Sequence, residues 1–423
     1  MNRFNELQDI LLRTRCGACG AKLEAPVMSL GGVPLANEFT HCSAAKNLPV
    51  YPLDLCLCHT CGLLQLGHLV SPSRLFSSYP YLTGTSSTMK IHFEDYARRV
   101  IKDGALDPGD LVVDIGSNDA TLLRCFKELG TRILGVDPAK NLAKQVSQQG
   151  IHVIPDFFSS RLARRIMEEY GPASVITANN VMAHVPEPSD VLKGFSLLLA
   201  PGGKVIAEVP YLADLLAGTA FDTIYHEHVS YFSVSALVHL FRGAGMVIEK
   251  IVRLKVHGGS LRIIAGMATH TKTGPEVEQL VRQESKDGLR DQVTIDLFEK
   301  RVRFFKERFK NSLLNYKKQG KSLAAYGAPA KGSMLLFHCG IGPDILDYTV
   351  DANPLKQGMC MPGTAIPIFP VSRLKQDRPD LLIILPWNMA DEIIRQESWF
   401  SVHGGKFIIP LPLSNYDQAE ARL

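Results

Sequence analysis

A short segment near the middle of the chain concentrates side chains that can donate, accept or carry a proton. It reads IYHEHVSYFS and shows no apolar period that would bury it in a regular element. Its titratable groups are Tyr225, His226, Glu227, His228 and Tyr231. An imidazole with an ordinary pKa of about 6.5 is largely neutral near pH 7 and can accept a proton. A neighbouring hydroxyl or carboxyl group can orient that base, or stabilise an oxygen that becomes negative.

The same residues also have a structural interpretation. A single histidine in a loop is more often hydrogen-bonded for stability than catalytic, and Tyr231 with Phe232 suits packing against the following helix. A metal site is disfavoured, because two histidines flanking one glutamate lack the i, i+4 spacing of helical zinc ligands. The catalytic interpretation therefore depends on what the surrounding elements bring together.

A second polar run, ANNVMAHVPEP, contains Asn179, Asn180 and His184. Like the first, it follows a strand-like segment. Ligands of open parallel sheets bind beyond the carboxyl ends of the strands, so we expect both polar segments to border one cleft. We therefore expect the charged cluster to lie at the substrate.

The elements that must position these residues alternate from residue 110 onward. The strand-like runs are DLVVDIG, TRILGVDP, HVIPDFF, SVITANNVM and GGKVIAEVP, with MVIEKIVRL and SLRIIAGM as further edge strands. Residues 119–129 have the pattern of a helix. This alternation predicts an α/β fold with a doubly wound, mostly parallel sheet that helices cover on both faces.

The turn after the first strand contains a small residue that lets a ligand approach the backbone. About 20 residues later, Asp137 ends the second strand, where it can accept hydrogen bonds from ribose hydroxyls. The turn lacks a full G-x-G-x-x-G, which disfavours a dinucleotide, and it resembles the S-adenosylmethionine (SAM) site of class I methyltransferases. The alternative is an ordinary βα turn with an N-cap aspartate. The expected cofactor contacts are Asp114, Gly116, Ser117, Asn118, Asp119, Asp137, Pro138, Asn179 and Asn180.

Paired cysteines near the amino terminus predict a structural zinc site. Two C-x-x-C knuckles supply Cys16, Cys19, Cys58 and Cys61, and four thiolates complete a tetrahedral ion and leave no position for water. Weaker candidate ligands nearby are His41, Cys42, Cys56 and His59. Six of the nine cysteines lie in this region in close pairs, which favours metal binding in a reducing compartment over disulfides.

The composition indicates a multi-domain globular protein. The chain has 423 residues, 46% hydrophobic and 21% charged, and 46 basic against 42 acidic residues give a net charge of only +4. This balance does not favour a nucleic-acid partner. No apolar run reaches the length of about 20 residues that a membrane span needs, and the amino terminus is charged where a signal peptide is apolar. We therefore expect a cytoplasmic protein with two to four domains.

The carboxyl-terminal part predicts a second small parallel sheet. Residues 276–318 have a helical period whose apolar face suits packing on a neighbouring domain, although a solvated linker is equally compatible. The run SLAAYGAPAKGSMLLF then predicts a strand, a small-residue turn and a helix that can hold an anion near Lys331 and Gly332. The turn HGGSLR is expected to border the cleft at the strand ends, with His257, Gly258, Gly259, Ser260 and Arg262. Arg262 is alternatively a buried ion partner.

Several motifs resemble one enzyme family in order along almost the whole chain. Following the cysteine knuckles they are YPYLTGTSSTM, VDIGSND, ANNVMAHV, YHEHVSYFS, HGGSLR and GAPAKG. They resemble the SAM-dependent C-methyltransferases of nucleotide-activated deoxysugars, which methylate the carbon next to the ketone of a 4-keto sugar. One position departs from the family pattern, because Ala120 replaces the glycine of its G-S-N-D-G turn.

The resemblance implies a division into domains and a set of roles. A zinc-binding domain at 12–75, a SAM-binding domain at 76–270, a helical connector at 271–318 and a Rossmann-like nucleotide-sugar domain at 319–415 are expected. His228 would be the base, with Tyr225 as donor to the developing enolate oxygen. The other expected catalytic residues are Glu227, His184, Tyr79 and Tyr81. A dTDP-linked or other nucleotide sugar would be the substrate, and the enzyme would be a monomer or small homo-oligomer. The alternatives are a methyltransferase of a non-sugar metabolite and a zinc-containing binding protein on a degenerate scaffold.

Overall fold

The computed structural model describes residues 9–76, 87–104 and 106–413, with side chains for all of these except residues 87, 88 and 257. Tyr79 and Tyr81 lie outside the described residues. No helix in the described part of the chain is both long and apolar enough to cross a bilayer.

The amino-terminal part, residues 9–76, is a small β-rich unit that we call the zinc module. Its strands are β1 (Ile10–Leu12), β2 (Met28–Val33), β3 (Tyr51–Leu57), β4 (Leu64–Leu66) and β5 (His68–Val70). Two short helices, α1 (Cys42–Ala45) and α2 (Pro72–Phe76), complete it. Strands β2, β3 and β4 form an antiparallel sheet, and β1 pairs with β5. The turns between strands place both cysteine knuckles side by side.

The central part contains a seven-stranded sheet in the order β12-β13-β10-β9-β6-β7-β8. The strands of this part are β6 (Leu111–Ile115), β7 (Arg132–Val136), β8 (Val153–Ile154), β9 (Ala173–Asn179), β10 (Leu199–Pro210), β11 (Ser230–Tyr231), β12 (Met246–Leu254) and β13 (Ser260–Met267). The helices are α3 (Ser87–Gly104), α4 (Thr121–Glu128), α5 (Lys140–Ser147), α6 (Ser160–Tyr170), α7 (Pro188–Leu198), α8 (Leu212–Gly218) and α9 (Val234–Gly243).

Strands β6 to β10 run parallel in this sheet, and β13 is antiparallel to both β10 and β12. Every residue of the central strand β6 is buried, as expected for a strand that helices cover on both faces. The chain has the class I methyltransferase fold that the sequence predicted, including the two edge strands.

The carboxyl-terminal part contains a five-stranded parallel sheet in the order β16-β15-β14-β17-β18. Helices α10 (Pro275–Lys286) and α11 (Gln292–Lys318) lead into it. Its strands are β14 (Leu323–Tyr326), β15 (Tyr348–Val350), β16 (Ile368–Phe369), β17 (Leu381–Ile384) and β18 (Lys406–Ile408). Its helices are α12 (Ala330–His338), α13 (Arg373–Asp377), α14 (Ala390–Gln396) and α15 (Ser398–Val402). In chain order the strands read 3-2-1-4-5, which confirms the Rossmann-like domain.

The three parts are interlocked. Strand β11 leaves the central part and pairs with β4, so it extends the sheet of the zinc module. Helix α11 buries Phe298, Phe305 and Phe309 in a core shared with the zinc module and the carboxyl-terminal sheet. The helical connector is therefore a packed element, because its apolar face is enclosed on several sides.

A covalent bond also joins distant parts of the chain. Cys42 in α1 forms a disulfide with Cys360, 318 residues away, and the backbone of Thr40 pairs with that of Cys360. The expectation that the cysteines serve metal and not disulfides is therefore wrong for this pair. The reason is tertiary, since the turn around Cys360 packs against α1 only in the folded chain.

Candidate active site

Four cysteines of the zinc module converge on one point. All their Sγ atoms lie within 4.8 Å of one another, and the Sγ–Sγ distances are 3.6 Å for Cys16 and Cys61 and 3.5 Å for Cys19 and Cys58. Zinc–sulfur bonds of about 2.3 Å in a tetrahedron require sulfur atoms about 3.8 Å apart. The four residues thus fit a zinc ion, and they are the four cysteines that the sequence predicted as its ligands. The chain binds this zinc as a structural metal, because four thiolates fill its coordination positions.

The neighbouring candidates do not belong to the cluster. Cys42 is in the disulfide, and the His59 ring lies 3.5 Å from Glu24. In the absence of metal, a hydrogen bond from Cys61 lowers the pKa of Cys16 to about 4. The side-chain amide of Gln65 and the backbone N–H of Ala18 donate to the same sulfur at 3.2 and 3.4 Å. Such bonds fix the orientation of a metal ligand.

Gln65 connects this zinc site to the central domain. Its Oε1 accepts from Nη1 of Arg13 at 2.8 Å, and Nη2 of Arg13 donates to the carbonyl of Pro186. Ser189 donates to the carbonyl of Gly17 at 3.1 Å, close to the first knuckle. The loop that follows β9 is therefore attached to the zinc module.

A single cavity of about 2000 Å³ extends between the three parts of the chain. One side, which we call the cofactor wall, contains all nine residues that the sequence predicted for the cofactor: Asp114, Gly116, Ser117, Asn118, Asp119, Asp137, Pro138, Asn179 and Asn180. They lie at the carboxyl ends of β6, β7 and β9, where the parallel sheet opens.

The backbone of the cofactor wall is fixed in unusual conformations. Gly116 has φ +70, and a Cβ there would lie 2.9 Å from Val181 Cγ2. Asn118, Ala120 and Asn180 also have left-handed φ values of 49, 61 and 54. A left-handed alanine is strained relative to glycine, so the replacement of the family's glycine by Ala120 has a conformational cost.

Two carboxylates support the cofactor wall. Asp137 accepts the backbone N–H of Asn118 at 2.8 Å and that of Ala139 at 2.9 Å, which holds the turn after β6 against the turn after β7. Burial raises the pKa of Asp114 to about 7, although Thr177 donates to it at 2.6 Å. Neither polar atom of the Asn179 side chain has a hydrogen-bond partner among the described residues. This arrangement fits a ribose-containing ligand.

Opposite the cofactor wall lies a loop of residues 221–232, which we call the histidine loop. A one-turn 3-10 helix at Phe221–Thr223 begins it, and β11 ends it. His228 Nδ1 is 2.7 Å from the carbonyl of Thr223, and Nε2 is 3.0 Å from the hydroxyl of Tyr225. A carbonyl only accepts, so Nδ1 carries the proton and Nε2 offers its lone pair. Tyr225 and His228 both line the cavity.

The remaining polar residues, one in the 3-10 turn after β9 and two in the histidine loop, have different surroundings. His184 lines the cavity with its ring centroid 4.8 Å from that of His228, and burial lowers its pKa to about 4, which keeps it neutral. His226 is buried against Tyr51, with Nε2 3.3 Å from the carbonyl of Pro52. Glu227 is 2% exposed and accepts from Asn37 at 2.8 Å, so it attaches the loop to the zinc module.

The third side of the cavity, which we call the C-terminal wall, is built at the carboxyl ends of β14, β15 and β17. Lys331 lies there with Nζ 4.1 Å from the ring centroid of Trp387, and it donates to Asn388. Burial lowers the pKa of Lys331 to about 8. Lys356 donates to the carbonyl of Ala328 at 2.7 Å. Gly258 and Gly259 also line the cavity.

Three of the residues predicted for the substrate are not on the cavity wall: Ser260, Arg262 and Gly332. Arg262 Nη2 is 2.6 Å from the buried carboxylate of Glu208, and its guanidinium stacks over Tyr96. The Ser260 hydroxyl donates to the carbonyl of Val256 at 3.1 Å. The register of β13 explains this for Ser260 and Arg262, because it turns both side chains away from the cavity. Gly258 and Gly259, which precede β13, reach the cavity. The His257 side chain lies outside the described residues.

Some cavity residues were not singled out from the sequence: Arg13, Asn37, Lys356, Trp387 and Asn388. None of them belongs to a local spacing pattern. The one available signal was the run DLLIILPWNM, in which polar residues follow the end of a buried strand, as in the other strand-end motifs.

Three protein-family models match successive parts of the chain. They describe a zinc binding domain at residues 16–76, a methyltransferase domain at 90–251 and a C-methyltransferase C-terminal domain at 255–412. Among solved structures, magnesium protoporphyrin IX methyltransferase from Synechocystis PCC 6803 is 15% identical, with 42% of this chain and 79% of that chain covered and a TM-score of 0.33.

Curated relatives match over different lengths. A ubiquinone biosynthesis O-methyltransferase of Burkholderia thailandensis is 25% identical over 36% of this chain and 70% of that protein. The C-methyltransferase NovU of Streptomyces niveus is 36% identical over 99% of this chain and 100% of that protein. With this identity over both whole lengths, the chain belongs to the family of SAM-dependent C-methyltransferases that carry a zinc-binding amino-terminal domain.

Proposed function

We propose that this C-methyltransferase methylates the carbon next to the ketone of a nucleotide-linked 4-keto-deoxysugar, at C-3. The observation that carries the proposal is the pair formed by His228 and Tyr225. The two side chains are 3.0 Å apart on the wall of a cavity that also contains the cofactor wall. A ketone-activated carbon needs a base and an oxyanion donor together, and this pair offers both.

The cofactor wall is proposed to bind SAM. Asp137 would accept the ribose hydroxyls, and the turn from Gly116 to Asp119 would contact the amino-acid end of the cofactor. Asn179 and Asn180 would supply further hydrogen bonds, because both line the cavity and the amide of Asn179 is otherwise unpaired among the described residues.

His228 would remove the proton. Its Nδ1–H is committed to the Thr223 carbonyl, so Nε2 accepts the proton from the sugar carbon, and the carbon–hydrogen electron pair moves toward the ketone oxygen. The Tyr225 hydroxyl, now 3.0 Å from Nε2, would turn its hydrogen bond to the ketone oxygen as that oxygen becomes negative. This change of partner frees the Nε2 lone pair.

SAM held by the cofactor wall would supply an electrophilic methyl group for the carbon that His228 deprotonates. His184 would form the floor of the pocket beside His228 and stay neutral, because burial lowers its pKa to about 4. Glu227 would keep the histidine loop in place through Asn37, without touching the substrate.

The C-terminal wall is proposed to hold the nucleotide end of the substrate. Gly258, Gly259 and Lys331 are the residues predicted for the substrate that line the cavity. The first turn of α12 would offer backbone N–H groups of the kind that bind phosphates. A small-molecule nucleotide sugar is therefore the proposed substrate. A panel of dTDP-, GDP- and CDP-linked 4-keto sugars with methyl-labelled SAM tests its identity.

The base is tested separately with His228→Asn. We expect kcat to fall at least 100-fold while calorimetry finds SAM bound as in the wild type, and exchange of the sugar C–H with D2O should stop. His403→Asn is the matched control, because His403 also bonds a backbone carbonyl through Nδ1, at 2.8 Å, but is exposed. Wild-type turnover by His228→Asn would refute the proposed base, and turnover of a non-sugar ketone alone would refute the proposed substrate.

A further inference from the structure

A backbone carbonyl determines which ring nitrogen of His228 carries the hydrogen. The imidazole contacts the Thr223 carbonyl through Nδ1 at 2.7 Å, and this contact determines which nitrogen carries the hydrogen. If the carbonyl moved away, the hydrogen would no longer be confined to Nδ1. A fraction of the histidine would then carry it on Nε2, where it could not accept a proton from a substrate.

The Thr223 carbonyl belongs to a tightly held turn. The side chain and backbone N–H of Thr223 both bond to the carbonyl of Ala220, at 2.7 and 3.1 Å. The preceding residue, Asp222, is completely buried. Its Oδ2 accepts from the indole Nε1–H of Trp387 at 2.7 Å, and its Oδ1 has no hydrogen bond among the described residues. Backbone N–H groups of Asp222 and Thr223 also lower its pKa, but a completely buried carboxylate remains costly unless a cation is near.

The C-terminal wall supplies that cation and holds the indole. The positive charge of Lys331 opposes the rise that burial causes in the pKa of Asp222, and its Nζ lies 4.1 Å from the ring centroid of Trp387. Asn388 accepts from the same ammonium. On the far side, a Cβ at Gly258 would overlap Trp387, so the ring packs directly on the glycine backbone. Lys331, Trp387, Asn388 and Gly258 all line the cavity. Trp387 and Lys331, which a ligand bound at this wall would contact, are therefore also the residues that interact with Asp222.

We propose that Asp222 is a positioning residue for His228, and that its bond to Trp387 makes the carboxyl-terminal domain part of the proton-removal apparatus. Asp222 fixes the turn whose carbonyl confines the hydrogen to Nδ1. A ligand on the C-terminal wall, which packs against Trp387 and Lys331, would tighten the same contacts and so couple nucleotide binding to the reactive tautomer. This inference rests on the proposed role of His228 as the base.

Trp387→Phe tests the inference because it keeps an aromatic ring near Lys331 and removes the N–H donor, together with the part of the indole that packs on Gly258. Trp399→Phe is the matched control, since the Trp399 indole also donates to a carboxylate, Glu397 at 2.7 Å, but lies outside the cavity. We expect Trp387→Phe to lower kcat about 10-fold with less than a threefold change in the KM for SAM. Trp399→Phe should leave both constants unchanged.

The tautomer is read directly by NMR of protein labelled with 15N-histidine, with the His228 signal assigned through His228→Asn. Trp387→Phe and Asp222→Asn should both shift this signal from the Nδ1–H form toward a mixture. A His228 signal and a kcat equal to those of the wild type in both variants would overturn the inference. Its failure is distinct from that of the proposed base, because an active His228→Asn enzyme would refute the base and leave the tautomer measurement unaffected.

Discussion

Arg13 is the buried cation that attaches the zinc module to the loop after β9. Its side chain is 8% exposed and donates to Gln65 Oε1 at 2.8 Å and to the carbonyl of Pro186. Arg13→Met keeps an unbranched apolar stem and removes both donors together with the charge. We expect this change to destabilise the fold and to loosen the loop that carries His184.

The magnitude follows from what each acceptor retains. Gln65 Oε1 loses its hydrogen bond from Arg13 but still accepts the backbone N–H of Gly17 at 3.0 Å. The Pro186 carbonyl loses its donor, and an unsatisfied buried carbonyl costs about 1–3 kcal/mol. Removing the guanidinium also removes the cost of burying its charge, which offsets part of the loss. The free energy of unfolding should therefore fall by about 2 kcal/mol.

Urea unfolding with excess zinc measures this change, provided that the m-value is unchanged. Arg15→Met is the matched control. Arg15 is exposed, and its Nη1 donates a hydrogen bond to the carbonyl of Gly20 at 3.1 Å. It should lower stability by less than about 0.5 kcal/mol. Calorimetry should find SAM binding severalfold weaker for Arg13→Met alone. Equal stabilities of the two variants would show that the buried guanidinium does not connect the zinc module to the central domain.

Removing the metal with a chelator should release one zinc ion per chain and lower the thermal midpoint, and metal analysis before and after checks both. Gly116→Ala should weaken SAM binding about 10-fold, because φ is +70 and the new Cβ would press on Val181, whereas Gly150→Ala, at φ +74 in open space, should bind SAM normally. Burial lowers the pKa of His226 from 6.5 to about 4, so the unfolded chain takes up this proton first as the pH falls, and the free energy of unfolding should decrease between pH 6.5 and 4. The destabilisation caused by His226→Gln should consequently be smaller at pH 5 than at pH 7.5, by about 1–2 kcal/mol in urea unfolding; an equal gap at both pH values would contradict the buried, neutral imidazole.

Local patterns in the sequence were sufficient for the zinc ligands and the cofactor wall. Cys16 and Cys19 must lie close together because two residues separate them, and a second pair with the same spacing supplies the other two ligands. The nine residues predicted for the cofactor all line the cavity, because each lies at or just beyond the end of a parallel strand and such strands end at one edge. The alternation of strand-like and helical runs likewise predicted both sheets.

Contacts between residues far apart in sequence could not be obtained in this way. Glu227 meets Asn37, and Cys42 meets Cys360, only after the three parts have packed together. The register of β13, which points Arg262 at Glu208 and away from the cavity, depends on its pairing with β10. A shift of one residue would reverse which side chains face the cavity, and composition alone does not specify that register.

The sequence by itself determined the four-cysteine cluster, the α/β architecture and the polar strand ends, since these follow from short spacings and from the periods of strands and helices. The tertiary structure alone decided how the histidine loop is held between the zinc module and the carboxyl-terminal domain. The physical reason is that burial, the hydrogen bond from Tyr225 to His228, and the bond from Trp387 to Asp222 all depend on neighbours that the chain brings together only on folding.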